Sequence, residues 1–153
     1  ERFKKIFGRS HGTMTQGYRI EDAEYILITL GSITGIAREV VDELRDRGVK
    51  VGVLKIRFVR PFPHEEIAAL VKGAKAIGTL EKDISFGYEG TVYTNVNSAL
   101  IRNGVLVPSY NFIGGLGGRD ISYEDIKECF GTLIKGNEEK EVWIGLGVVD
   151  DVR

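Results

Sequence analysis

Five short apolar runs of strand length alternate with stretches whose apolar residues return at helical spacing, and no other feature restricts the fold of this chain as much. The runs fall at 24–30, 50–59, 74–81, 105–113 and 139–149. Between them, 33–47, a short stretch beginning near Pro63, 89–102 and a segment opening at Ser122 read as helices. The order β-α-β-α-β-α-β-α-β predicts an α/β domain of three layers: a mostly parallel five-stranded sheet with helices on both faces. The first twenty residues hold no sustained period, so 1–20 reads as an arm or linker and 21–150 as the domain.

Local signals sharpen these elements. Ser32 stands where a side chain caps a helix start, and Gly48 stands where that helix should end. Arg38/Asp42 and Glu43/Arg47 are four residues apart on its outer side, worth about 0.2–0.5 kcal/mol each. Ile67, Leu70 and Val71 are expected to face inward from the short third segment, and Cys129 and Phe130 from the last helix. Pro108 within 105–113 argues for an edge or a local irregularity there. Ser122 with Asp125 three residues later makes a capping box in which Asp replaces the usual Glu or Gln.

With 153 residues, 42% of them hydrophobic, the chain has the size of one domain with a sizeable core. Lys and Arg total 21 against 22 Asp and Glu, interspersed, so no field is present to draw in a nucleic acid. One cysteine, Cys129, excludes an internal disulfide and a protein-only thiolate cluster. There is no apolar run near 18 residues and no basic-then-apolar leader, so the expectation is a cytoplasmic domain with no membrane partner. The chain opens at Glu1 without an initiator Met, as expected of a fragment or processed product.

In such sheets ligands gather beyond the strands' carboxyl ends, here 31–34, 60–64, 81–90 and 114–122. The glycine-rich "GGLGGRD" lacks the Lys of a P-loop and comes too late for a dinucleotide fingerprint. A close-approach surface, a phosphate pocket and plain loop turning all stay open for it, with Arg119 able to pair with a carboxylate or a phosphate. Ser32 and the helix start behind it offer capping, or an anion site. Glu81, Asp83 and Glu89, with Ser85 nearby, could do acid–base work or hold a divalent ion, but without a His or further Asp at motif spacing they read as solvated loop charges, and Phe86 and Tyr88 as contacts rather than catalysts. His11 and His64 are too far apart for a metal pair, and no serine stands in a G-x-S-x-G elbow. No nucleophile–base pair emerges, which suggests an accessory domain whose loops meet something else.

Those same loops carry a resemblance. "RPFPHEEI", "EKDISFGYEG" and "NFIGGLGGRDISYEDI", in this order and spacing, resemble the C-terminal part of the alpha subunit of the pyruvate:ferredoxin oxidoreductases, within the 2-oxoacid:ferredoxin oxidoreductase family, over about 17–130. Branched-chain and 2-oxoglutarate relatives share parts of the pattern. The resemblance implies a transketolase C-terminal-like domain of about five strands, one often antiparallel. Its enzymes decarboxylate a 2-oxoacid on thiamine diphosphate with Mg2+, pass electrons through 4Fe–4S clusters to ferredoxin and give the acyl group to coenzyme A. No G-D-G with a later Asn pair and no C-x-x-C-x-x-C occurs here, so no cofactor is expected in this chain and all are expected elsewhere in the complex.

The implied partners are the rest of the alpha subunit and beta, gamma and delta subunits or fused equivalents. Matching residues, carried over as interdomain or subunit contacts and as loop geometry, are Arg60, Pro61, Phe62 and Pro63; Ser85, Phe86, Gly87, Glu89 and Gly90; and Gly114, Gly115, Gly117, Gly118, Arg119 and Asp120. None is assigned to catalysis, cofactor or metal. The alternatives are a regulatory or binding module for a small anion, nucleotide or coenzyme A, and a free-standing protein–protein adaptor.

Overall fold

A computed structural model describes residues 2–10 and 12–145. The elements are α1 (Arg2–Phe7), β1 (Thr15–Tyr18), β2 (Tyr25–Leu30), α2 (Ile33–Asp46), β3 (Val51–Ile56), α3 (His64–Val71), β4 (Ala76–Glu81), α4 (Thr91–Arg102), β5 (Ser109–Ile113), α5 (Tyr123–Lys135) and β6 (Glu141–Trp143), with a 3-10 turn over Leu116–Gly118. His11 and the end of the last expected strand lie outside the described residues.

The strands form one six-stranded sheet in the order β1-β3-β2-β4-β5-β6. Strands β2 to β6 run parallel, as their alternation with helices requires. The sheet has six strands rather than the expected five, because β1 joins antiparallel to the free edge of β3, Thr15 opposite Ile56 and Tyr18 opposite Val53. β1 lies within the stretch expected as an arm. It is short and mostly polar, so it carries no period of its own. Its register is set from outside: Glu66 accepts hydrogen bonds from the Thr15 N–H (3.1 Å) and hydroxyl (2.8 Å), and Asp42 accepts from the Tyr18 hydroxyl at 2.8 Å.

Helices α2 and α5 cover one face and α3 and α4 the other. Alternate residues of each strand feed two cores. Leu27, Val53, Leu80 and Phe112 meet Val40, Ile126 and Phe130 on one side. On the other, Ile26, Ile28, Leu54 and Ile77 meet Ile67, Val96 and Leu100. Gly78 permits this on the crowded side, where a Cβ would lie 2.2 Å from the Phe112 ring. Cys129 is fully buried, as expected, and burial pushes its thiol well above the ordinary range.

Four local expectations are corrected. Ser32 makes no side-chain cap; its backbone is already helical, at φ −70° and ψ −29°. The turn is held instead by Thr34, whose hydroxyl donates to the Gly31 carbonyl at 3.0 Å and accepts from Thr29 at 3.0 Å. Leu70 faces outward, because the inward stripe of α3 is Ile67, Ala68 and Val71. The fourth parallel strand begins only at Ser109, with Pro108 just ahead of it lending its carbonyl to Ile77 N–H at 2.9 Å, so an interior strand tolerates the proline. Asp42 pairs with Arg19 at 2.8 Å rather than with Arg38, whose guanidinium lies over the Tyr18 ring. The Glu43–Arg47 pair forms as expected. No helix among the described residues is long and apolar enough to cross a membrane.

Candidate functional site: the carboxyl edge of the sheet

Five parallel strands end on one side of the sheet, and the four connections singled out in the sequence meet there. From β2 the chain passes outward to β3, then returns to the far side of β2 and continues through β4 to β6. The connections therefore diverge between β2 and β4, which opens a crevice at their carboxyl ends. It is a cleft of about 360 Å³, lined by Gly31, Ser32, Ile33, Leu80, Glu81 and Lys82 among others.

Glu81 was expected as one of several solvated charges, and the structure overturns that: it is 4% exposed. Its carboxylate accepts from Val92 N–H at 2.7 Å, Tyr93 N–H at 3.0 Å and Asn111 Nδ2 at 3.0 Å. The first two belong to the opening turn of α4, whose N–H groups have no partner within the helix. Asn111, on β5, turns its other end to accept from Gly90 N–H at 2.8 Å. Burial pushes the Glu81 carboxyl up, against the downward pull of these three donors and with a small upward contribution from Asp83. Gly90 is needed beside this group, since a Cβ there would stand 2.0 Å from Glu81 Oε1. No local spacing marks Glu81 and Asn111 as partners, because only the pairing of β4 with β5 brings them together.

From this buried tie the 82–90 loop rises to the surface. Tyr88 N–H donates to Ser85 O at 3.0 Å and Ser85 N–H to Glu89 O at 3.2 Å; Gly87 turns the tip at φ 69°. Phe86 is fully exposed and Tyr88 is 64% exposed. Glu89 accepts from the Thr94 hydroxyl at 2.9 Å.

The glycine loop follows β5. Gly115, Gly117 and Gly118 all have positive φ, from 67° to 83°, while Gly114 is buried against Ile144. The stem of Lys82 crosses Gly115 so closely that a Cβ would meet its Cε at 2.8 Å. Arg119 makes no ion pair with a carboxylate among the described residues; its Nη1 donates to the Gly145 carbonyl at 2.7 Å. Asp120 lies exposed beside it. In the 60–63 connection Arg60 and Pro61 are exposed, whereas Phe62 is buried with α3 and meets the His64 ring edge-on. Pro63 precedes the first residue of α3 and is also buried. Phe58 and Val59, exposed just after β3, and Leu116 add apolar surface to the same edge. Sequence reasoning had not singled out these three.

The buried Glu81 carboxylate accepts from three donors, two on Oε1 and one on Oε2, and Ser85 faces the Thr91 hydroxyl at 3.5 Å. No group of three or more His, Cys, Asp or Glu able to hold a metal occurs among the described residues. These residues do not fit a magnesium–diphosphate site.

The family model for the pyruvate:ferredoxin oxidoreductase core domain II matches residues 23–126. The pyruvate synthase subunit PorA of Methanothermobacter thermautotrophicus is 46% identical over 144 residues, covering 94% of this chain and 36% of that protein. The ketoisovalerate oxidoreductase subunit VorA of Pyrococcus abyssi is 40% identical over 125 residues, covering 82% of this chain and 32% of the other. The chain thus spans about a third of the length of these relatives. Among solved structures, a 2-oxoglutarate:ferredoxin oxidoreductase from Magnetococcus marinus superposes with a TM-score of 0.62 at 21% identity, covering 87% of this chain and 21% of that one. A split gene transketolase superposes at 0.58 and 16% identity, covering 78% and 41%. Both structures speak for the fold alone.

Proposed function

The chain belongs to the pyruvate:ferredoxin oxidoreductase core domain II family, and from that premise we propose that it is a noncatalytic, transketolase C-terminal-like domain of the alpha subunit of a cytoplasmic 2-oxoacid:ferredoxin oxidoreductase. The complete assembly interconverts pyruvate and coenzyme A with acetyl-CoA and CO2, using ferredoxin, with thiamine diphosphate, Mg2+ and 4Fe–4S clusters held by other parts. The carboxyl edge packs against the remainder of the alpha subunit or against beta-, gamma- or delta-type subunits.

The observation that carries this reading is the joint character of that edge. Its polar interior is satisfied internally at Glu81 and Asn111, while Phe86, Tyr88, Phe58 and Leu116 are presented to the outside. Contact is made by Arg60, Pro61, Ser85, Phe86, Gly87, Gly117, Gly118, Arg119 and Asp120. The buried Phe62, Pro63, Gly90, Gly114 and Gly115, with Glu89, shape the loops behind them.

Two measurements test the proposal. The purified chain is expected to show no turnover of pyruvate and no saturable binding of thiamine diphosphate by calorimetry, and activity is expected only once the missing alpha segment and partner subunits are supplied. Turnover by the chain alone would overturn the assignment. A second reading, a small-anion or nucleotide module, draws on the cleft between β2 and β4 with Ser32 and Lys82 at its rim. It requires coenzyme A or a nucleotide to give a saturable heat that is lost in Lys82→Ala.

A further inference from the structure

The 82–90 loop is held by two turn bonds and by two side-chain contacts to α4, Glu89 with Thr94 and Ser85 with Thr91. Its two turn bonds fix the tip relative to the base, so the direction in which Phe86 and Tyr88 point depends on what fixes the base. That is Glu81. One carboxylate joins the last residue of β4 to the first turn of α4 and, through Asn111, to β5 and back to Gly90 N–H. Both ends of the loop are therefore anchored to one buried cluster.

We infer that Glu81 is the positioning residue of the contact loop, setting where Phe86 and Tyr88 are offered to the adjoining domain. This rests on the contact reading given above. Three features of the cluster are selective for a glutamate. All three neighbours of the carboxylate are donors, so both oxygens must accept. A glutamine would turn an NH2 group toward one of the two α4 N–H groups, leaving donor against donor. Aspartate, one methylene shorter, would have to draw β4 and α4 together to reach the same atoms. The absence of a side chain at Gly90 leaves the room this carboxylate needs.

The test is residue-resolved amide hydrogen exchange on two proteins: this chain alone, and the assembled M. thermautotrophicus pyruvate synthase whose PorA subunit carries this chain in place of the segment it matches. In the wild-type chimaera, amides 86–88 are expected to exchange about tenfold or more slowly relative to the isolated chain, because the contact covers them. Glu81→Gln should speed exchange at Val92 and Tyr93 about tenfold in both proteins and abolish the protection gained at 86–88. Phe86→Ser should abolish that gain while leaving Val92 and Tyr93 unchanged. Full protection at 86–88 in the Glu81→Gln chimaera would overturn the positioning role and leave the contact reading standing. No gain in the wild-type chimaera, or a gain insensitive to Phe86→Ser, would sink the contact reading and this inference with it. Should Glu81→Gln prevent folding, Asn111→Ala cuts the link from the carboxylate to β5: it is expected to speed exchange at Gly90, whose N–H loses its acceptor, and to abolish the protection gained at 86–88, and full protection there would overturn the positioning role.

Discussion

Tyr123 and Glu43 bind α5 to α2 through a single hydrogen bond, the phenol donating to the carboxylate. That bond, with some desolvation, pushes the Tyr123 phenol up from its usual value near 10 to about 12. The same bond, reinforced by Arg47 and Lys127, holds the Glu43 carboxyl below its usual range despite some desolvation. The signs follow from linkage. A phenol that keeps its proton more tightly in the fold contributes stability that is complete below about pH 10 and lost as pH rises toward 12. The Glu43 contribution is present above the ordinary carboxyl range and is lost as pH falls through it. Urea midpoints measured from pH 9 to 12 should therefore fall more steeply in the wild type than in Tyr123→Phe. Parallel curves would count against the bond. At this scale the sequence was least informative: neither Tyr123–Glu43 nor Glu81–Asn111 follows a local spacing, and each exists because two distant elements pack.

Two serines precede helices in this chain, and they looked alike as caps until their third neighbours are compared. Ser122 has Asp125 at that place: its hydroxyl accepts from Asp125 N–H at 3.2 Å, and Asp125 Oδ2 accepts from Ser122 N–H at 2.7 Å. Ser32 has Gly35, which offers nothing in return, and Thr34 takes the role at that turn. Ser122→Ala is expected to lower stability by about 1 kcal/mol, and Ser32→Ala to change it by less than about 0.5 kcal/mol, both by chemical denaturation. Equal losses would show that Ser32 caps in solution. The helices and parallel strands themselves were legible because their apolar periods run long enough to speak for one face. α3 was legible only in part, since in eight residues Leu70 and Ala68 flank the Ile67–Val71 stripe on opposite sides, and packing against α4 turns the buried face toward the smaller. β1, four residues with a single inward-facing anchor in Thr15, carries no such signal.

For the molecule as a whole, the reversed edge strand matters more than its length suggests. The family match begins at residue 23, yet β1 lies ahead of it and shields the edge of β3. It is fastened by Thr15 to Glu66, Tyr18 to Asp42, and Arg57 N–H to the Met14 carbonyl. A chain lacking residues 1–18 would lose these hydrogen bonds, at about 1 kcal/mol each, and would bare a β3 edge with free N–H and C=O groups. We expect its melting temperature to fall by about 6–12 °C, at about 2–4 °C per kcal/mol for a chain of this size, and the protein to self-associate. Calorimetry and light scattering check both; an unchanged, monomeric truncation would show β1 to be dispensable.

The buried tie at Glu81 also bears on how the finished surface comes into being. Its participants sit at 81, 90–93 and 111, so the aromatic tip cannot take its final attitude until the fifth strand has been laid beside the fourth. A nascent chain halted before that point would hold most of its central ribbon with the aromatic tip still unset, and under the contact function proposed above its assembly would wait until this body is complete.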